Sequence, residues 1–109
     1  MSIQHPDVID GIGLEDDGAK VVMLISDHLS WDDTAHVPLL VAKIEAYASA
    51  ALSGQLMSSY PLSEGKPISV RLVYHDLPNG EAQLLLSGIG DQLRAVGIGF
   101  EHTSLPHDY

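Results

Sequence analysis

The chain has no cysteine. This removes a disulfide framework, a thiolate zinc site and a cysteine nucleophile at once. Cations are nearly as scarce: five Lys and Arg stand against fifteen Asp and Glu, for a formal net charge of −10. Binding nucleic acid or an anionic membrane requires many cations close to phosphates, so neither partner is expected. No apolar run reaches the ~18 residues of a membrane span, and the polar opening "MSIQHPD" does not read as a signal peptide. A phosphate-cradling loop is missing too, since "DGIG" falls inside a strand pattern. The six histidines, at 5, 28, 36, 75, 102 and 107, show no HxH, HxxxH or HExxH spacing. Neither a metal nor a cofactor is expected, and the histidines read as scattered surface residues.

What remains is a chain of 109 residues that is 45% hydrophobic, enough to build one buried core without staples. A single domain over 1–109 is expected, with 104–109 as a flexible tail and a cytoplasmic location. Val8 to Leu14 and Lys20 to His28 read as strands around "EDDGAK", where Asp17-Gly18 is a strong hairpin signal. A stripe of Val37, Leu40, Val41, Ile44, Tyr47, Ala48, Ala51 and Leu52 predicts a helix over 38–53, entered through a loose turn at 33–37. Residues 54–66 read as a loop. "ISVRLVYH" is a third strand. A second helix follows, with Asn79 as its cap, a stripe of Ala82, Leu85, Leu86, Ile89, Leu93 and Val96, and Gly97 as its left-handed stop. "IGFEHT" is a fourth strand. The order ββαβαβ implies an α+β two-layer sandwich, a four-stranded mixed sheet with both helices on one face.

A two-residue turn at Asp17-Gly18 sets the register of the first two strands. Leu14 then faces Val21, Ile12 faces Met23, Asp10 faces Ile25, Val8 faces Asp27 and Asp7 faces His28. Asp10 and Asp27 become diagonal neighbours, about 7–8 Å apart, at the open end of the hairpin. Two carboxylates at that distance suit inverting sugar hydrolysis or a water-bridged metal, and an Asp–His pair could orient a general base. A structural reading competes with these. Asp27 at a strand's end can accept from the N–H groups of the next turn, and Asp33 or Ser30 can cap the helix. Trp31 would close the core's edge with its N–H towards water.

The back of the first helix carries Leu39, Ala42, Lys43, Ala46, Ser49, Ala50 and Ser53, with a single charge among them. In the second helix Leu84 points away from the apolar stripe, and Gly88 and Gly90 are small. Such faces let another backbone approach, so a protein partner, or a second copy in a homodimer, is expected there. With Asp7, Asp27, His28 and Trp31, the residues Leu39, Ala42, Ala46 and Ala50 form the expected binding set. A non-enzymatic domain acting through protein–protein contact, immunity-like or regulatory and facing a basic partner, is the leading expectation. The alternative is a small hydrolase or metal binder centred on Asp10, Asp27 and His28.

The segments "HPDVIDGIGL" and "VVMLISDHLSW" resemble a small uncharacterised bacterial domain family. Its pattern is Pro-Asp-Val-Ile/Val-Asp followed by Ser-Asp-His-Leu-x-Trp ahead of a long helix. Here these are Pro6, Asp7, Val8, Ile9 and Asp10, then Ser26, Asp27, His28, Leu29 and Trp31. The similarity continues through "SGQLMSSYP" and the second helix, and departs from the pattern at Pro38. It implies no activity, and it marks Asp10, Asp27, His28 and Trp31 as the first residues to test.

Overall fold

A computed structural model describes residues 10–15, 17–54 and 65–104. Asp7 and Val8, most of the expected 54–66 loop and the tail beyond Ser104 lie outside the described residues. The elements run β1 (Gly11–Glu15), β2 (Lys20–Asp27), α1 (His36–Leu52), β3 (Ile68–Tyr74), α2 (Gly80–Ala95) and β4 (Ile98–Ser104). Ser104, expected in the tail, is the last residue of β4.

The sheet has the order β1-β2-β3-β4, with β1 antiparallel to β2 and the other two pairings parallel. Asp17 and Gly18 both take positive φ, 58° and 87°, as the tight hairpin turn that matches strand twist requires. That turn sets the expected register: Leu14 pairs with Val21 and Ile12 with Met23. The chain then steps across the sheet in one direction, from β2 to β3 to β4. Crossovers of one hand on that path place both helices on the same face.

That face holds the core. Met23, Ile25, Val70, Leu72 and Ile98 from the sheet join Leu40, Ile44 and Tyr47 from α1 and Leu86, Ile89 and Leu93 from α2 in one buried cluster. On the opposite face Arg71 reaches across β2 to Glu15 with two hydrogen bonds, at 2.6 and 2.7 Å, and turns its Nε to Glu101 at 2.9 Å. The Arg71 guanidinium holds the Glu15 carboxyl below the usual carboxylate range, chiefly through these hydrogen bonds.

The two helices are built differently. In α2 the Asn79 side chain accepts from Ala82 N at 2.8 Å, Glu81 stands in the first turn and Arg94 in the last. These groups complement the helix dipole and its orphan N–H groups. In α1 the residue before the helix is Ala35, which offers no side-chain cap, and no acid occupies the first turn and no base the last. Pro38 is the third helical residue, not the first. It is harmless there, because first-turn N–H groups have no partner within the helix.

The buried face of α1 is rotated from the expected stripe. His36, Leu40, Lys43, Ile44 and Tyr47 are inside, whereas Val37 and Leu52 are exposed. The rotation follows from what the polar side chains reach. The Tyr47 hydroxyl donates to the Leu24 carbonyl at 2.7 Å and accepts from Asp10 N at 2.9 Å, tying α1 to both strands of the hairpin.

Burial raises the Tyr47 phenol well above its ordinary range. The unfolded chain therefore ionises first as pH rises, so this contribution is fully present below about pH 10 and is lost above it. Urea unfolding at pH 7, 10 and 11 should show stability falling over the last interval. The fall should be shallower in Tyr47→Phe by about one proton's linkage, and equal slopes would refute the assignment.

Candidate functional site

The polar residues of the hairpin's open end converge on α1 and form two buried polar pairs. Asp10, just before β1, receives the Lys43 ammonium on Oδ1 at 2.7 Å and the Ser26 N–H on Oδ2 at 2.8 Å. The Lys43 side chain is 0% exposed and that of Asp10 2%. Lys43, expected on the open back of the helix, is thus fully inside. Burying an ammonium costs several kcal/mol unless a carboxylate meets it, so this pairing is a condition of the helix's orientation.

The second pair closes the end of β2. Asp27 accepts from Leu29 N on Oδ1 at 3.1 Å, the strand-end role expected of it, and Oδ2 lies 2.5 Å from His36 Nε2. The other ring nitrogen, Nδ1, meets the Ser30 carbonyl oxygen at 3.0 Å. A carbonyl can only accept, so Nδ1 carries a hydrogen, and the Nε2–Oδ2 contact holds another between the two side chains. Trp31 stacks on the His36 ring, with centroids 4.0 Å apart and planes inclined by 29°. Its indole N–H does not point to water as expected. It donates to the Asp76 carbonyl at 2.8 Å, while the Asp76 carboxylate accepts from Trp31 N at 3.0 Å. The turn after β3 thereby clamps the turn after β2.

Lower in the same turn, Ser30 Oγ accepts from Asp32 N at 3.2 Å and Asp33 Oδ1 from Ala35 N at 2.9 Å. Both shape the approach to α1 without capping it. Every buried side-chain nitrogen and oxygen among the described residues has a partner, so the cluster is satisfied by its own members.

A general base must touch the proton it removes. Both members of the Asp27–His36 pair have side chains that are 0% exposed, and Asp10 is turned to Lys43 and Ser26. His28 lies apart from them, exposed at the end of β2, as His75 and His102 are exposed on β3's turn and on β4. Asp10 and Asp27 are thus brought to one end of the hairpin, but His28 does not join them. Among the described residues no three His, Asp or Glu side chains are arranged to hold a metal ion, and no helix is long and apolar enough to cross a membrane.

Of the expected binding residues on α1, Leu39 is half-buried against the core, Ala42 is exposed, and Ala46 and Ala50 are half-buried. None of the four lines either of two surface concavities. One, of about 500 Å³, runs between α1 and α2 and is lined by Val41, Ala48, Leu52, Leu84, Gly88 and Val96 among others. Another, of about 630 Å³, lies between α2 and β4, with Tyr74, Phe100, His102 and Arg94 on its walls. Neither His36 nor Asp76 was marked by sequence pattern, because each meets its partner across a turn or a strand. The one available signal was Lys43, a lone cation in an otherwise uncharged helix face.

Fold and cluster define a small α+β sandwich whose conspicuous polar residues are internal. The chain belongs to the family of unknown function DUF6572, whose model matches residues 1–106. No curated protein and no solved structure matches it.

Replacing His36 with Ala strands the Asp27 carboxylate inside the protein and should cost about 3–5 kcal/mol in urea unfolding. His28→Ala, at an exposed position, should stay within about 0.5 kcal/mol. The reverse ranking would show that His28, not His36, closes the end of the strand.

Proposed function

We propose that this is a protein-binding domain, immunity-like or regulatory, whose contact surface is the groove between α1 and α2 and whose partner presents a basic amphipathic helix. The observation that carries this reading is the apolar character of the groove. Leu84 is 77% exposed, Leu52 60% and Val96 49%, and the polar side chains lining it are Glu45 and Gln92. Large apolar side chains clustered on one surface, instead of scattered, are a mark of interaction sites. Gly88, also in the wall, has nothing within 4 Å of where a Cβ would stand, which leaves room for a partner's side chain. Helix-in-groove recognition uses this kind of surface.

Charge favours the kind of occupant. The chain carries a net charge of −10, and Lys20, Lys43, Arg71 and Arg94 all lie within ion-pair distance of carboxylates. A basic partner is drawn to that field, whereas a second copy is repelled by it. The enzymatic alternative loses support because Asp10 and Asp27 are committed to internal partners and His28 stands away from them.

The test uses a leucine–lysine amphipathic helical peptide and its leucine–glutamate counterpart, with sedimentation of the protein alone alongside. The basic peptide should bind, weaken with salt, and lose about tenfold or more in affinity with Leu84→Asp. Binding of both peptides alike, indifference to Leu84→Asp, or a homodimer that Leu84→Asp dissolves would overturn the proposal.

A further inference from the structure

We propose that the cleft between α2 and β4 is a separate site for a small planar aromatic carboxylate. Its volume, about 630 Å³, falls in the range of small-molecule sites. It opens beside the carboxyl end of β3, with Tyr74, Leu77 and Pro78 among its lining residues.

Three rings build one wall. The His102 ring lies 5.8 Å from Tyr74 and 6.0 Å from Phe100, centroid to centroid, with planes inclined by 38° and 41°. The Tyr74 hydroxyl and His102 Nδ1 are 3.2 Å apart. That contact turns the other imidazole nitrogen, on the far side of the ring, away from Tyr74. The wall therefore offers flat apolar surface with a hydrogen-bonding edge.

Opposite it stands a cation that is folded back over its own helix. A Cβ on Gly90 would lie 3.3 Å from Arg94 Nη1 and 3.4 Å from Phe100 Cδ2. Glycine at 90 thus leaves room for both the guanidinium and the Phe100 ring beside the helix backbone. Asp91 holds the guanidinium through Nη2 at 2.5 Å, and the Arg94 side chain is still 58% exposed. A carboxylate arriving from solvent can reach it. Guanidinium geometry suits a planar carboxylate better than a point charge does.

The chemistry of the lining side chains selects the ligand. A flat ring can lie on Phe100 and His102 while its carboxylate meets Arg94, and a hydroxyl at the far end of the ring falls towards the His102–Tyr74 edge. The overall negative charge opposes any anion at long range, so affinity depends on these local contacts, and salt should not weaken it much.

Amide chemical-shift titration of the whole chain with 4-hydroxybenzoate, benzoate, cyclohexanecarboxylate and inorganic phosphate tests the assignment. Shifts should cluster at Gly90, Phe100 and His102, with 4-hydroxybenzoate binding best. Arg94→Gln, a change at a solvent-facing group, should weaken it about tenfold, and His102→Ala should erase its advantage over benzoate. No shifts at millimolar ligand, equal response to cyclohexanecarboxylate or phosphate, or indifference to Arg94→Gln would overturn it.

Discussion

The Lys43 ammonium, fully buried against the Asp10 carboxylate, is the constraint on which the arrangement of α1 depends. A helix with no side-chain cap and no charges matched to its dipole gains little from its own sequence, so tertiary contact must hold it. Apolar contact alone would fix its distance from the sheet but only loosely its rotation. Lys43–Asp10, His36–Asp27 and Tyr47 with the Leu24 carbonyl remove that freedom, because each buried polar group is costly in any other rotation. The same contacts bind the antiparallel hairpin to the parallel part of the fold. Trp31, stacked on His36 and hydrogen-bonded to the Asp76 carbonyl, carries the linkage on to the turn after β3.

Local rules made much of this architecture legible. Asp17-Gly18 announced both the hairpin and its register, because positive φ at two consecutive residues leaves few other ways to join two strands. Asn79 and Gly97 bracketed α2 for equally local reasons. The rotation of α1 was not legible. Its apolar stripe is broad, including Val37 and Leu52 as well as Leu40 and Ile44, and a broad stripe does not define which edge faces inward. Lys43 and His36 decide it, and their partners lie 33 and 9 residues away. A lysine read from sequence is a solvated residue unless its carboxylate is known to await it.

The conspicuous heptad "ISDHLSW" is accordingly a joint between elements. Asp27 and Trp31 close the end of β2 and the entry to α1, while His28 is exposed to solvent. The same joint fixes which surfaces of α1 and α2 face each other. With α1 rotated as it is, Val41, Ala48 and Leu52 come to face Leu84 and Gly88 of α2, and Val96 just after it, across one groove. Ala42 and Ala46, from the expected contact strip, do not line that groove.

A double-mutant cycle on Asp10→Asn, Lys43→Met and the combined variant, followed by urea unfolding, is the direct measurement. If the buried pair orients α1, each single change destabilises strongly and the two together cost much less than their sum, with a coupling above about 2 kcal/mol. Effects that add within about 0.5 kcal/mol would mean that the two side chains do not act as a pair, and the orientation of α1 would have to come from apolar packing alone.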